Sequence, residues 1–278
     1  MTLLKNKPLL KNKPFLKWAG NKYRIVDKIQ KLLPEGKRLI EPFAGSTAVF
    51  LNTHYDEYLL ADNNIDLINL YNLLKKNGAD FISYCQPYFS EKNNTEAAYY
   101  AFRQQFNTTR SIKKKAALFL YLNRHGYNGL CRYNLKGGYN VPFGRYKRPY
   151  FPANEMLTFA NKAQTATFVH QDFVQIMQQA KKGDVIYCDP PYAPVSASAN
   201  FTQYSAGGFN LEQQQQLASI ASQKAAQGIP VLISNHNTPF TLKTYTQAQT
   251  ITKFKVQRYI SCNGNKRGSA GELLALFV

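Results

Sequence analysis

The chain has 278 residues, 44% of them hydrophobic, and carries a formal charge of +19 with a pI near 9.7. This length and apolar content support a packed core, in one large domain or a domain with a substantial insertion, and exclude disorder of the whole chain. The positive excess favours a polyanionic partner, either nucleic acid or an anionic membrane surface, and no run reaches the roughly 18 apolar residues of a membrane-spanning helix.

The N-terminal stretch "MTLLKNKPLLKNKPF" repeats LLKNKP at residues 3–8 and 9–14. Its lysines and prolines break up the apolar segment that a signal peptide needs, so a cytoplasmic protein is expected. They also favour an extended, solvated tail, or a basic arm lying along DNA phosphates. Cys85, Cys131, Cys188 and Cys262 lie far apart, with no C-x-x-C pair and no flanking histidine spacing. All four are expected to be reduced thiols, and neither a disulfide framework nor a zinc site is suggested.

"RLIEPFAGSTAVFL" (38–51) reads as a strand, a tight turn and the start of a helix; "EYLLADNNIDLINLYNLLKK" (57–76) repeats the rhythm with a strand, an acidic tip and an amphipathic helix. Strand followed by helix, twice, argues for parallel βαβ units. The turn "EPFAG" has only Gly45 where a dinucleotide fingerprint has three glycines, which disfavours a nicotinamide or flavin cofactor. What remains is a turn that lets backbone approach a ligand. Asp62, at the end of the following strand, stands where an acidic residue about twenty residues on holds ribose hydroxyls, or else it caps the next helix.

Residues 97–154 contain eleven Lys or Arg and no Asp or Glu, among many tyrosines and phenylalanines. Within them "KKKAALFLYLNRHGYNG" is helix-like, and "YNGLCRYNLKGGYNVPFGRYKRPYF" (127–151) supplies hairpin turn chemistry at Asn128-Gly129 and Gly137-Gly138. An inserted, mostly helical, DNA-facing module carrying a β-hairpin or ordered loop is expected.

The sheet resumes at "DVIYCDPPY". Its strand stops after Cys188 because Pro190 and Pro191 have no N–H for a ladder. A carboxylate at the carboxyl end of a parallel strand faces the crevice where open α/β sheets bind ligands. The prolines fix the neighbouring carbonyls, and Tyr192 offers a flat face for stacking. Together these suit a planar amine: Asp189 and the Pro190 carbonyl accept its two hydrogens while its ring lies on Tyr192. "LEQQQQLASIASQKAAQG" (211–228) then reads as a helix closed by Gly228, and "PVLISNH" (230–236) as another strand, giving a doubly wound, mostly parallel sheet.

"DPPY" (189–192), "FLKWAGNK" (15–22), "EPFAG" (41–45), "YNGLCRYN" and "NVPFGRYKRPYFP" (127–152) resemble the DNA adenine-N6 methyltransferases of the Dam type, which methylate GATC. The likeness extends over nearly the whole chain, including "SASANFTQY", "PVLISNH" and "ELLAL", in the motif order of that family's alpha group. Asn21 departs from the family's usual glycine, and the LLKNKP repeat looks foreign to the family core. The resemblance implies a class I S-adenosylmethionine-dependent methyltransferase fold. Residues 1–64 and 151–278 would form the catalytic domain, and 65–150 a target-recognition domain carrying a β-hairpin.

It further implies S-adenosylmethionine as cofactor, with no metal and no covalent enzyme intermediate. Asp62 would hold its ribose, Trp18 and Lys22 its methionine end, and Asp172 and Phe173 its adenine, with Gly45, Phe43 and Asp189 also lining the cofactor site. Asp189, Pro190 and Tyr192 would be the catalytic group. A flipped adenine in double-stranded DNA would be the substrate, at a cost of roughly a few kcal/mol for leaving the stack. Lys113, Lys114, Lys115, Lys147 and Arg148 would meet phosphates, and Tyr127 and Leu130 would fill or wedge the vacated stack. Arg132 would read a guanine and Lys17 the other base-pair edge, with Asn128, Asn134, Asn140, Pro142 and Arg145 as further DNA contacts. Competing readings are methylation of RNA adenine, of cytosine N4 or of a protein glutamine, or a DNA-binding protein that has lost catalysis. A monomer is expected.

Overall fold

A computed structural model describes residues 11–192, 209–257 and 269–278. The first LLKNKP copy, "SASANFTQY" and Cys262 lie outside these residues. Seven strands form one sheet in the order β3-β2-β1-β4-β5-β7-β6. They are β1 (Arg38–Glu41), β2 (Glu57–Asp62), β3 (Ala166–His170), β4 (Asp184–Cys188), β5 (Val231–His236), β6 (Thr250–Gln257) and β7 (Ser269–Phe277). The first five run parallel, as the βαβ rhythm predicts; β7 runs antiparallel to both β5 and β6.

Side chains alternate across strands buried on both faces. Leu39, Leu60, Tyr187 and Leu232 point to one side; Ile40, Leu59, Ala61, Ile186 and Ile233 point to the other. The first side is covered by α1 (Val26–Leu32), α2 (Ala48–Asn52), α3 (Ile65–Cys85) and α6 (Ala153–Lys162). The second lies under α7 (Phe173–Gln178) and α8 (Leu211–Ala226), followed by α9 (Pro239–Thr244). Helix α8 starts at an Asn210–Gln213 capping box and gives way to Gly228 at φ 74°. No helix among the described residues is long and apolar enough to cross a membrane.

Strand order reverses between β1 and β4, so the carboxyl ends of these two neighbours open one crevice. The pairing Ile40↔Ile186 brings the turn after β1 and the prolines after β4 to the same rim. At the opposite, amino end of these strands Arg38 donates from Nε and Nη2 to the two oxygens of Asp184, at 3.0 and 2.6 Å, which fixes that register.

Helix α3 runs past the lysine pair at 75–76 to Cys85 and bends at Gly78 (φ 42°, ψ −117°), where a residue with a Cβ is strained. Beyond the bend it meets α4 (Glu96–Thr108) and α5 (Ile112–His125), started by the Thr95 and Ser111 side-chain caps. Tyr71 and Phe81 of α3 lie in the same apolar cluster as Tyr99, Phe106 and Tyr121, so the sheet's core continues into the helical module. Each fully buried Phe there contributes roughly 1.5–3 kcal/mol.

The expected β-hairpin is an ordered loop with a hairpin path. Among the described residues the β-pairing of its arms is limited to the isolated bridges Gly126↔Phe143 and Tyr133↔Tyr139. Pro142 has no N–H to extend a ladder, and the left-handed residues Asn128, Gly129 and Gly137 turn the chain out of the extended form.

Candidate active site

Asp189 follows the last residue of β4, and Pro191 pins the tip by accepting a 2.7 Å hydrogen bond from Gln214 of α8. Oδ1 of Asp189 receives the Lys22 ammonium at 2.8 Å and the Ser234 hydroxyl at 2.9 Å. Lys22 is only 6% exposed, donates also to the Gly20 carbonyl, and has its Nζ 4.5 Å from the centre of the Tyr192 ring. That ring meets His236 edge-on at 4.5 Å, and its hydroxyl donates to Glu272 at 3.3 Å. Burial raises the Asp189 carboxyl above the ordinary range; Lys22 and Ser234 pull it back. Glu41, buried at the end of β1, is pushed up to about 8, first by burial and then by the charge of Asp189.

Around the glycine turn, Asp62 is a fastener. Its Oδ2 accepts from the Gly45 N–H at 3.0 Å and its Oδ1 from the Asn64 N–H at 2.9 Å, tying the turns after β1 and β2 together. Gly45 sits at φ 45°, and a Cβ there would stand 3.1 Å from Nε1 of Trp18. Phe43 stacks on Phe173 at 5.6 Å, and Phe209 closes on both edge-first. Phe173 is 2% exposed and Phe43 is the half-buried aromatic of this pair. Asp172 caps α7 by accepting from the Val174 N–H at 2.8 Å.

On the neighbouring surface, Lys17 is clamped by the buried Asn123, which accepts from its N–H at 2.9 Å and donates to its carbonyl at 2.7 Å. Its Nζ reaches the Arg124 carbonyl at 3.2 Å and lies 3.7 Å from the centre of the Tyr146 ring. Burial and the Arg124 charge lower it to about 8. Asn128 (φ 53°, ψ 18°) and Gly129 (φ 61°) make a type I′ turn closed by Leu130 N–H to Tyr127 O at 3.1 Å. Gly129 is obligatory there, because a Cβ would come within 2.2 Å of the Lys17 Cβ. Asn128 donates its N–H to the Tyr146 hydroxyl, and Tyr127 its N–H to the Pro142 carbonyl.

Tyr127 stands 49% exposed, whereas Leu130 leans into the core and Leu135 at the loop tip is 90% exposed. Arg132 is exposed with Nε on Asn140 Oδ1 at 2.7 Å and Nη2 on the Asn140 carbonyl at 3.2 Å. Asn134 folds the tip by accepting from the N–H groups of Lys136 and Gly138. Arg145 pairs with Glu96 at 3.4 Å on the surface. Lys115 pairs with the buried Asp66 at 3.0 Å and Lys113 lies over the Tyr84 ring, so both are engaged by the protein itself, while Lys147 and Arg148 are exposed.

The family model for D12 class N6 adenine-specific DNA methyltransferases matches residues 18–260. The chain is 51% identical over 262 residues to the DNA adenine methylases of Escherichia coli (strain K12) and Salmonella typhi, covering 94% of this chain and of each of those. It is 52% identical over 263 residues to that of Serratia marcescens, covering 94% of this chain and 97% of the relative. The chain belongs to the D12 class of N6 adenine-specific DNA methyltransferases.

For a D12-class enzyme acting on DNA, the geometry gathers most of the residues singled out by sequence into two groups. Lys22, Asp189 and Tyr192 meet at the β4 tip, with Trp18, Phe43, Gly45 and Asp62 on the adjoining rim. Lys17, Tyr127, Asn128, Arg132 and Asn140 line the loop. Sequence reasoning passed over Ser234, Tyr187, Phe209, Asn123, Tyr146 and Leu135. Ser234 had a signal, since a hydroxyl in the otherwise apolar "PVLIS" needs a polar partner at the end of a buried strand. Asn123 and Tyr146 had none, because their partners lie far along the chain.

Proposed function

We propose that Asp189, the Pro190 carbonyl and Tyr192 hold a flipped adenine for methylation at N6 within GATC, with S-adenosylmethionine as methyl donor. The observation that carries this reading is the Lys22 ammonium, a nitrogen donor held 2.8 Å from the Asp189 carboxylate and 4.5 Å from the centre of the Tyr192 ring. Carboxylate and ring together already bind N–H hydrogens over a phenol face, which is what a base amine requires. Accepting both amine hydrogens draws the N6 lone pair out of the ring and aims it. Fixed acceptors also match the positive charge that grows on nitrogen without having to reorganise.

The rim fits S-adenosylmethionine. The Gly45 cradle, which a Cβ would fill against Trp18, admits close approach, Asp62 retains lone pairs for hydroxyls, and Phe43 offers a flat face. When bound, the cofactor supplies a methyl group on a sulfonium centre. In this reading residues 1–64 and 151–278 do the chemistry and 65–150 engage DNA in a cytoplasmic enzyme. Arg132, held along one edge by Asn140, keeps its Nη1 end for a guanine; Lys17, packed against the Gly129 turn, serves the other base-pair edge, and Tyr127 stands out to fill the gap left by the flipped base. Incubation of plasmid with enzyme and cofactor, followed by digestion with nucleases that distinguish methylated from unmethylated GATC, tests the site. Protection at GATC alone is expected; methylation at other adenines overturns it.

A further inference from the structure

The two oxygens of Asp189 stand differently. Oδ1 takes Lys22 at 2.8 Å and Ser234 at 2.9 Å, whereas Oδ2 takes no hydrogen bond among the described residues. Ser234 is fully buried in β5, one residue beyond the Cys188↔Ile233 pair and so level with Asp189. Its hydroxyl oxygen receives the buried Tyr187 hydroxyl at 3.1 Å. A serine hydroxyl has a single proton to give. With Tyr187 filling a lone pair, that proton goes to Asp189 rather than to the Cys188 carbonyl, which is farther away at 3.4 Å. Rotation about the last bond of an aspartate is soft, so something outside the residue has to set the plane of its carboxylate.

We propose that Ser234 is a positioning residue for methyl transfer: its hydrogen bond to Oδ1, backed by Tyr187, fixes the Asp189 carboxylate so that Oδ2 faces the target amine. The role rests on Asp189 being the amine acceptor. It also bears on ionisation. The groups facing the carboxylate are Lys22 before α1, Glu41 at the end of β1, Tyr187 and Cys188 of β4, Ser234 of β5, and Tyr192, itself against His236 of β5 and Glu272 of β7. Among the described residues Lys22 and Ser234 alone donate to it, against the burial that raises its pKa. Removing the hydroxyl therefore lets Asp189 protonate at higher pH.

Ser234→Ala, Tyr187→Phe and Ser234→Thr would be assayed for steady-state methylation of a GATC duplex across the acid limb of the pH profile, with DNA affinity measured by anisotropy. Ser234→Ala should lower kcat about ten-fold or more, in keeping with a hydrogen bond to a charged group, leave KM for DNA in place, and move the acid limb to higher pH. Tyr187→Phe should do the same several-fold, and Ser234→Thr should restore both rate and limb. Wild-type kcat and limb in Ser234→Ala overturn the proposal, as does a rate loss with the limb unmoved and no rescue by threonine. Should Ser234→Ala fail to fold, unchanged kcat and limb in Tyr187→Phe overturn it instead. Full activity in Asp189→Asn removes the reading beneath; an inactive Asp189→Asn beside normal Ser234→Ala and Tyr187→Phe defeats only the positioning role.

Discussion

On the proposed reading, the β4 rim and the loop of residues 127–145 meet the same substrate by opposite physical means. At the rim the working groups are shielded: Lys22 is 6% and Glu41 2% exposed, and Asp189 has its ionisation shifted by burial. In the loop the working groups stand in water, and backbone turns hold them. Tyr127 and Leu135 are 49% and 90% exposed, and Arg132 rests on a single asparagine. Chemistry needs a low dielectric and fixed dipoles, so its residues are buried and mutually paired. Recognition needs to exchange water for base edges, so its residues are exposed and only their backbone is fixed.

The sharpest way to break this contrast is at the rim. Asp189→Asn keeps the size of the side chain and an acceptor for Lys22 but loses the charge. It should cut methyl transfer about a thousand-fold or more while leaving DNA affinity within a few-fold, by filter binding of labelled methyl and by anisotropy. A matching loss of DNA affinity would show that the rim serves binding as much as chemistry.

Next in size is the electrostatic cost of the rim. Glu41 binds its proton far more tightly folded, at about 8, than in an unfolded chain. Its contribution to stability is therefore fully present below the ordinary carboxyl range and is lost as pH rises toward 8. Glu41→Gln removes that loss. The variant should exceed the wild type in stability by on the order of a few kcal/mol above pH ~9, and differ little in acid, by urea denaturation at the two pH values.

How far these regions were legible in sequence follows the same divide. The parallel strands, the β4 tip and the helix α8 were readable, because continuous apolar runs, prolines and a closing glycine act over a few residues. That Asp189 and Asp62 stand at strand ends, with Gly45 and Tyr192 in the turns that follow strands, was readable for the same reason. The final antiparallel β7 was not, since nothing local in "ELLAL" gives direction. The loop's hairpin was half legible: Asn128-Gly129 makes its turn, but Pro142 denies it a ladder. The packing of Phe173 against Phe43 and Phe209 was not legible, because those rings come from distant parts of the chain. Asn123 and Tyr146, which hold Lys17 and Asn128, act across distances that no local pattern records.

In the loop the largest expected effect is on reading. Arg132→Ala should relax discrimination at one base pair of the site by about 1–3 kcal/mol, measured as the ratio of kcat/KM for cognate and singly substituted duplexes. Equal loss on both duplexes would make Arg132 a phosphate contact. Gly129→Ala tests whether the loop depends on its backbone. A methyl group at φ 61° and within 2.2 Å of the Lys17 Cβ forces the turn and Lys17 apart. DNA affinity should fall about ten-fold with kcat at saturating DNA nearly retained, since left-handed strain alone costs roughly 1–2 kcal/mol.

Lys147 marks the far end of the scale, exposed beyond the turn residues. A lone cation on a phosphate adds affinity without choosing a sequence, through release of counterions from the duplex. Lys147→Ala should therefore weaken cognate and scrambled DNA alike and reduce the slope of log affinity against log salt by about 0.9. If the loss falls on the cognate site alone, Lys147 reads bases. The sequence-reading surface would then extend past the loop of residues 127–145 onto its exposed flank.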